Sequence, residues 1–574
     1  WKSIYNLKMN TAILLFDNEA NRMSLSFHYY SPLLTREFIF DRPLSESLGS
    51  FNNKIKFNVM KALLKEPRGD KNKPLANSSL IIKFQENAKD IFEGIKLNDL
   101  KKLSNLTLFV DPVLYKISIN PPYIKSLKLP SLSAVNMMLY PKNLKLIFSD
   151  IASTEFNWYI SGKIRTRRKL KWHLVSSGYF YTPNINALGC KVRLECIPRI
   201  DGKKGPARSI ISKECVSTGP DYFPFQKRHN MCESTSADCF RLVTYNSLAS
   251  LYADTPYSKT VCYPYIPSYA LCLDYRMQLI IQELLGYQAD IICLQEVDKN
   301  AFYEDLKPVF ELQGYDGILS LKKCYFSSCS KTNSHNYKEI YEGIACFFNT
   351  TKFSLKATFD HHLFQELQSN PQLTSQWEKV SQNSVIRNKL SLRKNVLQVN
   401  ILECRHDPAK LLIIGNTHLY YHPEGYVQLI QAAVCLTLLN QYQTEYKQMF
   451  PGKEIIVLFC GDFNSTPTTD AYKYITQKCY TEYASMRTDS RNMVEGLKFG
   501  NPFSFLSAYG TPAYTNYTND FVGCLDYIFF PDEYLLLKQV IPLPSLEEVS
   551  EHDALPSIVF PSDHLALIAD FAFK

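Results

Sequence analysis

The chain has 574 residues, and this length favours two to four domains over one. Hydrophobic residues make up 45% and charged residues 21%, which are globular proportions and exclude a wholly disordered chain. No uninterrupted apolar run approaches the roughly 18 residues that a membrane-spanning helix needs. The composition therefore predicts a soluble protein without a membrane span.

The net charge of +9 is divided unevenly along the chain. Residues 1–230 carry 37 Lys and Arg against 18 Asp and Glu, whereas residues 231–574 carry 27 against 37. A basic front half joined to an acidic back half suggests a module that binds polyanions ahead of one that is rich in carboxylates. The alternative, that the basic residues only solvate a surface, is equally open.

Cysteine usage bears on the compartment. All 16 cysteines lie at or after Cys190, and no two of them form a C-x-x-C pair. This pattern favours a reducing compartment and argues against structural zinc. Because the chain begins at Trp1, we expect that a leader has been removed or is missing.

The first part of the chain alternates strand patterns with polar turns. Residues 23–29 predict a strand, residues 55–64 a short amphipathic helix, and residues 80–125 a second β-rich stretch. Residues 65–74 are charged and contain two prolines and a glycine, which indicates a loop or linker. We predict a β-rich domain over residues 1–135.

The sequence pattern of the next region resembles that of an immunoglobulin-like sandwich. Trp158 lies in one strand-like run, residues 178–183 open another, and residues 188–196 alternate up to Cys196. We predict that residues 136–220 form this sandwich. Within it, six cations crowd into residues 163–171, and they could either hold a phosphate backbone or form a solvated hairpin loop.

From residue 238 onward, strands alternate with helical segments. Strands are predicted over residues 240–245, 290–294, 411–416, 454–460 and 565–571, and helices over residues 273–286 and 426–442. This alternation is typical of α/β layering. We predict an α/β domain over residues 238–574.

Polar side chains follow four of these predicted strands, lie within the strand-like run at residues 524–529, or precede the last predicted strand. Because strand ends commonly converge on one rim of an α/β sheet, we expect these side chains to meet there. The residues are Asn246, Glu296, His418, Asp462, Asn464, Asp526, Asp563 and His564.

Phosphodiester cleavage fits such a set, because the site must neutralise the phosphate and activate water. Glu296 and Asn246 offer oxygen ligands for Mg²⁺, and Asp462 beside Asn464 can orient or deprotonate the attacking water.

Imidazoles would complete the predicted site. His418 and His564 can donate hydrogen bonds to phosphoryl oxygens as negative charge builds. Asp526 can hold the tautomer of His564.

Six motifs, in order, resemble the endonuclease/exonuclease/phosphatase superfamily: Thr244-Tyr245-Asn246, Leu294-Gln295-Glu296-Val297, Asn416-Thr417-His418-Leu419, Gly461-Asp462-Phe463-Asn464-Ser465, Leu525-Asp526-Tyr527-Ile528 and Ser562-Asp563-His564. The resemblance implies a two-sheet α/β sandwich and Mg²⁺-dependent phosphoester hydrolysis, with one or two ions and Mn²⁺ as a possible substitute. The implied metal ligands are Glu296, Asn246, Asp462, Asn464 and Asp563. The implied catalytic residues are Asp462, His564, His418 and Asp526, and the implied substrate-binding residues are Asn464, Asn516 and His418.

Flanking segments resemble the 2′,5′-phosphodiesterase branch of that superfamily nearly from end to end, more loosely before residue 230. Examples are Cys262-Tyr263-Pro264-Tyr265 and Pro512-Ala513-Tyr514-Thr515-Asn516-Tyr517. The resemblance implies an exoribonuclease of the mitochondrial matrix that trims 2′,5′-oligoadenylate and 3′,5′-linked poly(A). Its partner is then RNA, with no obligate protein partner evident.

Three departures and two alternatives stay open. Ser250 stands where relatives tend to carry an acid, Ser247 where they carry an aliphatic residue, and residues 314–340 read as a surface insertion. A cytosolic poly(A) deadenylase is one alternative, although the leucine-rich repeat common in that group is absent. A catalytically weakened RNA-binding relative is the other, favoured by Ser250 and opposed by the intact acids and His564. The preference between 2′,5′ and 3′,5′ linkages is left open.

Overall fold

The computed structural model describes residues 10–31, 34–65, 80–162, 170–325, 339–478, 497 and 499–574. The chain divides into two compact units. The first comprises Trp1–Ser126, Lys145–Phe156 and Glu195–Ser209, and the second comprises Leu127–Leu144, Asn157–Leu194 and Ile210–Lys574. The three domain ranges given above stay predictions.

The first unit contains a seven-stranded sheet in the order β3-β2-β1-β7-β6-β4-β5. The strands are β1 Asn10–Asp17, β2 Arg22–Tyr30, β3 Thr35–Pro43, β4 Ile82–Glu86, β5 Lys89–Asp90, β6 Leu106–Val110 and β7 Val113–Ile119. An α-helix spans Leu48–Lys65 and a 3₁₀-helix spans Leu97–Lys102. The α-helix begins earlier than predicted because Leu48, Phe51 and Ile55 form one fully buried stripe at helical spacing.

Several small sheets follow along the chain. Strands β8 Tyr123–Lys128 and β9 Lys142–Ile147 pair, and so do β13 Arg199–Ile200 and β14 Lys203–Lys204. A four-stranded sheet has the order β11-β10-β12-β15, with β10 Glu155–Ser161, β11 Trp172–Ser177, β12 Val192–Ile197 and β15 Arg208–Ile211. A 3₁₀-helix spans Ile185–Ala187.

The prediction of a strand opening at residues 178–183 is wrong. The buried indole of Trp158 donates a hydrogen bond to the Gly178 carbonyl at 2.9 Å, and Tyr181 forms only an isolated bridge with Leu139. These contacts hold the segment as a loop over Trp158. The immunoglobulin-like assignment stays a prediction, and residues 163–169, with five of the six clustered cations, lie outside the described residues.

The remainder of the second unit is built on two six-stranded sheets. The first has the order β18-β19-β17-β16-β29-β28 and the second β20-β21-β22-β23-β27-β24, while β25 and β26 form a separate pair. The strands are β16 Cys239–Asn246, β17 Ile291–Asp298, β18 Tyr315–Tyr325, β19 Glu339–Asn349, β20 Phe353–His362, β21 Val396–Cys404, β22 Lys410–His418, β23 Glu454–Asp462, β24 Phe505–Ser507, β25 Asn516–Tyr517, β26 Val522–Gly523, β27 Asp526–Pro531, β28 Leu535–Val540 and β29 Leu567–Phe573.

Helices connect and flank these strands. The α-helices are Phe225–His229, Ser250–Ala253, Ser268–Leu271, Leu273–Gly286, Lys299–Ala301, Lys307–Leu312, Leu363–Ser369, Thr374–Gln382, Ser384–Ser391, Tyr426–Met449, Asp470–Thr476 and Leu546–Ser550. Two π-helical turns, Ser258–Cys262 and Phe302–Leu306, and a 3₁₀-turn, Pro371–Leu373, complete the set. No described helix is long and apolar enough to span a bilayer.

The two sheets pack face to face. One buried cluster joins Leu242 and Ile291 of the first sheet to Leu412 and Ile456 of the second. A second cluster packs the outer face of the second sheet against helices that include Tyr426–Met449. The predicted α/β class is confirmed for this part of the chain.

One prediction about chain organisation is corrected here. Residues 315–325, assigned to a surface insertion, form β18 and pair with β19 over their whole length. Residues 326–338 of that segment lie outside the described residues.

Candidate active site

Four of the predicted site residues lie at or near the carboxyl ends of parallel strand pairs. Strand β16 runs parallel to β17, and β22 runs parallel to β23. Asn246, His418 and Asp462 are the last residues of β16, β22 and β23, and Glu296 lies near the end of β17. The predicted strands stop short of these residues, yet His418 and Asp462 still pair with each other in the sheet.

The side chain of Asn246 links the two sheets. Its Nδ2 donates to Glu296 Oε1 at 3.1 Å and to Asp462 Oδ2 at 3.0 Å. The other oxygen of Glu296 accepts a hydrogen bond from the Ala249 backbone N–H at 2.9 Å. One amide therefore fixes a carboxylate from each sheet at the same point.

The backbone bends sharply where it presents Glu296. This residue has φ +56°, and the pairing between β17 and β19 shifts register between Leu294 and Val297. Such an irregularity re-aims a side chain, and a non-glycine residue at positive φ costs about 1–3 kcal/mol. Leu248, beside Asn246, has φ +57° as well.

Asp462, Asp526 and His564 form a buried cluster. His564 Nδ1 lies 2.8 Å from Asp526 Oδ2, and its Nε2 lies 3.6 Å from Asp462 Oδ2. The Thr515 hydroxyl also donates to Asp526 Oδ2, at 2.6 Å. Asp526 thus contacts Nδ1 of the imidazole, and Nε2 lies on the side of Asp462.

A glycine makes the position of Asp462 possible. Gly461 has φ +141°, and a Cβ at this position would lie 1.9 Å from the Thr417 carbonyl oxygen. Only glycine fits this close approach between β22 and β23. The following turn is closed by the Asn464 backbone N–H, which donates to Asp462 Oδ1 at 2.9 Å.

His418 lies between two nitrogen donors. Lys322 Nζ is 3.1 Å from its Nδ1, and Asn464 Nδ2 is 3.1 Å from its Nε2. A neutral imidazole accepts at one nitrogen only, so one of these contacts is not a hydrogen bond. Burial, together with the charges of Lys322 and His564, holds the pKa of His418 well below its usual value.

The carboxylates of the site carry strongly shifted pKa values. Burial raises the pKa of Glu296 to about 8, and the charges of Glu342 and Asp563 add to this shift. Burial raises the pKa of Asp462 to about 6, although the charge of His564 opposes it. Burial disfavours the imidazolium of His564, yet Asp526 and Asp462 hold its pKa well above the usual value.

These features fit a divalent cation. The ligand atoms of Asp462, Asp526 and His564 lie within 4.8 Å of one another, so they could hold a metal ion. Asp526 Oδ1 is buried and has no hydrogen-bond partner among the described residues. Oxygen-rich donors of this kind are what Mg²⁺ prefers. The predicted ligand set shares only Asp462 with this cluster and stays a prediction.

A cavity of about 810 Å³ opens over the cluster. Asn516 and Asp563 line it, and Asp563 Oδ2 accepts a hydrogen bond from Tyr263 at 3.1 Å. Asp563 therefore reaches the cavity but lies outside the compact Asp462–Asp526–His564 group.

A model of the Endonuclease/Exonuclease/phosphatase family matches residues 243–564. The chain belongs to this family. It is 35% identical to 2′,5′-phosphodiesterase 12 of Rattus norvegicus, over 93% of this chain and 90% of that protein. It is 38% identical to the Homo sapiens protein of the same name, over 81% and 76%. It is 30% identical to the CCR4-Not complex 3′-5′-exoribonuclease subunit Ccr4 of Schizosaccharomyces pombe, over 58% and 49%.

Family membership and the buried Asp462–Asp526–His564 cluster identify the chain as a phosphodiesterase hydrolase. The predicted enzyme class and the predicted resemblance to the 2′,5′-phosphodiesterase branch are confirmed.

Three contributors to the site were not predicted from sequence. Lys322 reaches His418 from β18, Thr515 anchors Asp526, and the Ser562 hydroxyl donates to the Asn246 carbonyl at 2.7 Å. Ser562 was visible within a matched motif, but nothing in the sequence singles out Lys322. Ser250, the departure noted above, donates to Asp298 at 2.7 Å and does not line the cavity.

Proposed function

We propose that this hydrolase is a Mg²⁺-dependent 3′-exoribonuclease that cleaves 2′,5′-oligoadenylate and 3′,5′-linked poly(A), including tails of mitochondrial RNA, and releases AMP. The position of Asp462 carries the proposal. Its Oδ2 accepts a hydrogen bond from Asn246, which also binds Glu296, and lies 3.6 Å from His564 Nε2. The Asp462 carboxylate thus adjoins both the amide that also binds Glu296 and a cationic imidazole.

These residues support an in-line hydrolysis. Glu296 and Asn246 would hold Mg²⁺, which neutralises charge on the phosphodiester when it is bound. Asp462 orients or deprotonates the attacking water. The water oxygen bonds to phosphorus, and the bond from phosphorus to the 2′- or 3′-oxygen of the preceding nucleoside breaks. The terminal nucleotide leaves with its 5′-phosphate, as AMP.

The two histidines act on the phosphoryl oxygens as charge develops. His564 is kept protonated by Asp526 and donates from Nε2. His418 is neutral, and when Lys322 donates to its Nδ1 the proton stays on Nε2. That nitrogen lies 3.5 Å from Asp462 Oδ2, on the side where the phosphate would bind.

The cavity offers surfaces for a nucleobase. Three aromatic rings line it and are partly open to solvent: Tyr252 at 40%, Tyr421 at 59% and Phe521 at 38% exposure. Aromatic rings of this kind stack bases at about 1–3 kcal/mol each. Asn516, buried beside them, can read a base or sugar edge. The relatives include a 2′,5′-phosphodiesterase and a 3′-5′-exoribonuclease, which suggest cleavage of the 2′,5′ linkage and degradation of ordinary RNA from its 3′ end.

Product analysis on short oligoadenylates tests the proposal. The full chain is incubated with the 2′,5′- and the 3′,5′-linked trimer, each with Mg²⁺, with Mn²⁺ and with a chelator. We expect AMP to be released stepwise from both, and only with metal. Release of nucleoside 3′-phosphates, or equal rates with chelator, would contradict the mechanism.

Two further outcomes would favour the alternatives. Cleavage of the 3′,5′ isomer alone would indicate a poly(A) deadenylase, and RNA binding without cleavage would indicate a catalytically weakened relative. A mitochondrial-matrix location stays a prediction, and imaging of the protein expressed from its own gene would test it.

A further inference from the structure

A second cavity, of about 700 Å³, adjoins the catalytic one. Five residues line both cavities, so the two are neighbours across the site: Tyr252, Glu296, His418, Tyr421 and Asn464. A substrate bound at Asp462 can therefore extend from one cavity into the other.

The two cavities differ in charge. Among the described residues that line the catalytic cavity there is no Lys or Arg, but there are six acids: Glu296, Glu424, Asp462, Asp470, Asp520 and Asp563. The second cavity is lined by three cations, Lys322, Arg393 and Lys394, and by two acids, Glu296 and Glu342. Metal ions can compensate the acids nearest the reacting phosphate, but a second substrate phosphate would be repelled in the catalytic cavity and attracted in the other.

Arg393 is held in a fixed orientation without its own counter-ion. Its guanidinium lies over the Tyr420 ring, 3.8 Å from the ring centroid. Its Nε is buried and has no hydrogen-bond partner, and no ion pair of Arg393 or Lys394 occurs among the described residues. A pre-positioned guanidinium with free donors is suited to a phosphate.

Lys322 already contacts other side chains of the protein, so we do not assign it to binding the substrate phosphate. It contacts Glu342 at 3.3 Å and His418 at 3.1 Å, deep in the wall between the cavities. The free cations of the second cavity are therefore Arg393 and Lys394, which follow the helix Ser384–Ser391.

We propose that Arg393 and Lys394 bind the phosphate next to the scissile one, namely the 5′-phosphate of the nucleoside that supplies the leaving oxygen. This inference rests on the proposed function, because it assumes that the terminal nucleotide occupies the catalytic cavity. The retained part of the oligonucleotide then runs through the second cavity, and the enzyme favours substrates that carry this additional phosphate.

Two dinucleotides separate the contributions. ApA has only the scissile phosphate, whereas pApA has the additional 5′-phosphate; both linkage isomers are used with the full chain and Mg²⁺. We expect the wild type to show a lower KM for pApA. Charge-assisted hydrogen bonds predict that Arg393→Met raises the KM for pApA about 10-fold. The KM for ApA and both kcat values should change less than about twofold.

Arg387→Met is the matched control, because Arg387 lies on the helix that precedes Arg393 and lines neither cavity. This variant should leave KM and kcat unchanged for both ApA and pApA. Lys394→Met covers the case in which Arg393→Met fails to fold, since Lys394 is exposed, and it should raise the KM for pApA selectively. Binding of pApA in the presence of chelator should weaken in the same variants.

The outcomes are distinct. Equal KM changes for ApA and pApA, or none in either variant, would overturn this inference while leaving the proposed function in place. Failure of the wild type to cleave either dinucleotide or longer oligoadenylates would instead overturn the proposed function.

Discussion

Glu296 is the residue whose role can be tested most directly. Glu296→Gln keeps an oxygen for the Ala249 N–H but removes the charge that a divalent ion needs. We expect activity to fall at least about 10³-fold, the loss of an essential metal ligand, with an unchanged circular dichroism spectrum. Asp298→Asn is the control, because Asp298 binds Ser250 outside both cavities. Near-normal turnover of Glu296→Gln at saturating Mg²⁺ would refute the assignment.

A substitution at Asp462 can distinguish an effect on the chemical step, seen in kcat, from an effect on substrate binding, seen in KM. Asp462→Asn keeps the size of the side chain and removes the carboxylate that orients water. General-base catalysis contributes about 10²–10⁴-fold, so kcat should fall by about that factor. The KM should hold or decrease, because one negative charge facing the phosphate is gone. Steady-state kinetics on one oligoadenylate suffice; an unchanged kcat with a raised KM would make Asp462 a binding residue.

At the scale of elements, the junction of β22 and β23 depends on Gly461. In Gly461→Ala the new Cβ would meet the Thr417 carbonyl at 1.9 Å, and φ +141° is strained for alanine. We expect a stability loss of about 1–3 kcal/mol or more, together with a lower kcat because Asp462 shifts. Gly452→Ala, where the Cβ has no neighbour within 4 Å, should change neither chemical-denaturation midpoint nor kcat.

A buried charge cluster ties residues 127–144 to the helices of the catalytic part within the second unit. Lys142 pairs with Asp274 and, at 3.6 Å, with Asp305, while the Tyr140 hydroxyl donates to Asp305 at 2.9 Å. Burial raises the pKa of Asp305 to about 6, although Lys142 opposes the shift. Because folding favours the protonated acid, the stability that Asp305 confers falls as pH rises from about 4 to about 6.

Lys142→Met should therefore destabilise the protein more at pH 8 than at pH 5. At pH 8 it leaves Asp305 charged, buried and unpaired, which costs about 3 kcal/mol. At pH 5 Asp305 carries a proton, and mainly the Asp274 pair is lost. Urea unfolding at both pH values measures this, with the exposed Lys145→Met as control. An equal loss at both pH values would contradict the assignment.

The sequence predicted the presence of strands and helices better than it predicted the residues at which they end. Apolar runs and helical spacing located β16, β17, β22 and β23 and the helix Leu273–Gly286, because these patterns report burial. The polar residues that end the strands broke the apolar pattern, so the predicted strands stopped early although backbone pairing continues. Lys322 was not predicted as a site residue, because it lies 96 residues away from His418 in the sequence and contacts it only in the folded chain.

At the scale of the whole molecule, the charge surplus of residues 1–230 awaits a test. Residues 127–144 and 157–194 belong to the same compact unit as the catalytic site, so removing the front half would cut into that unit. The test therefore keeps the full chain and changes only side chains. The basic cluster supplies Lys163, Arg165, Arg167, Arg168 and Lys169, which can be replaced together by Gln.

If this cluster binds the phosphate backbone, the KM for a long oligoadenylate should rise with salt more steeply in the wild type than in the five-residue variant. Each lost contact to single-stranded RNA should lower the slope of log KM against log salt by about 0.7. The slope for a dinucleotide should be the same in both proteins, because an unphosphorylated dinucleotide has no phosphate besides the scissile one. Equal slopes for the long substrate would show that these cations only solvate a surface, and the polyanion-binding role of the front half would then have to rest on its remaining basic residues.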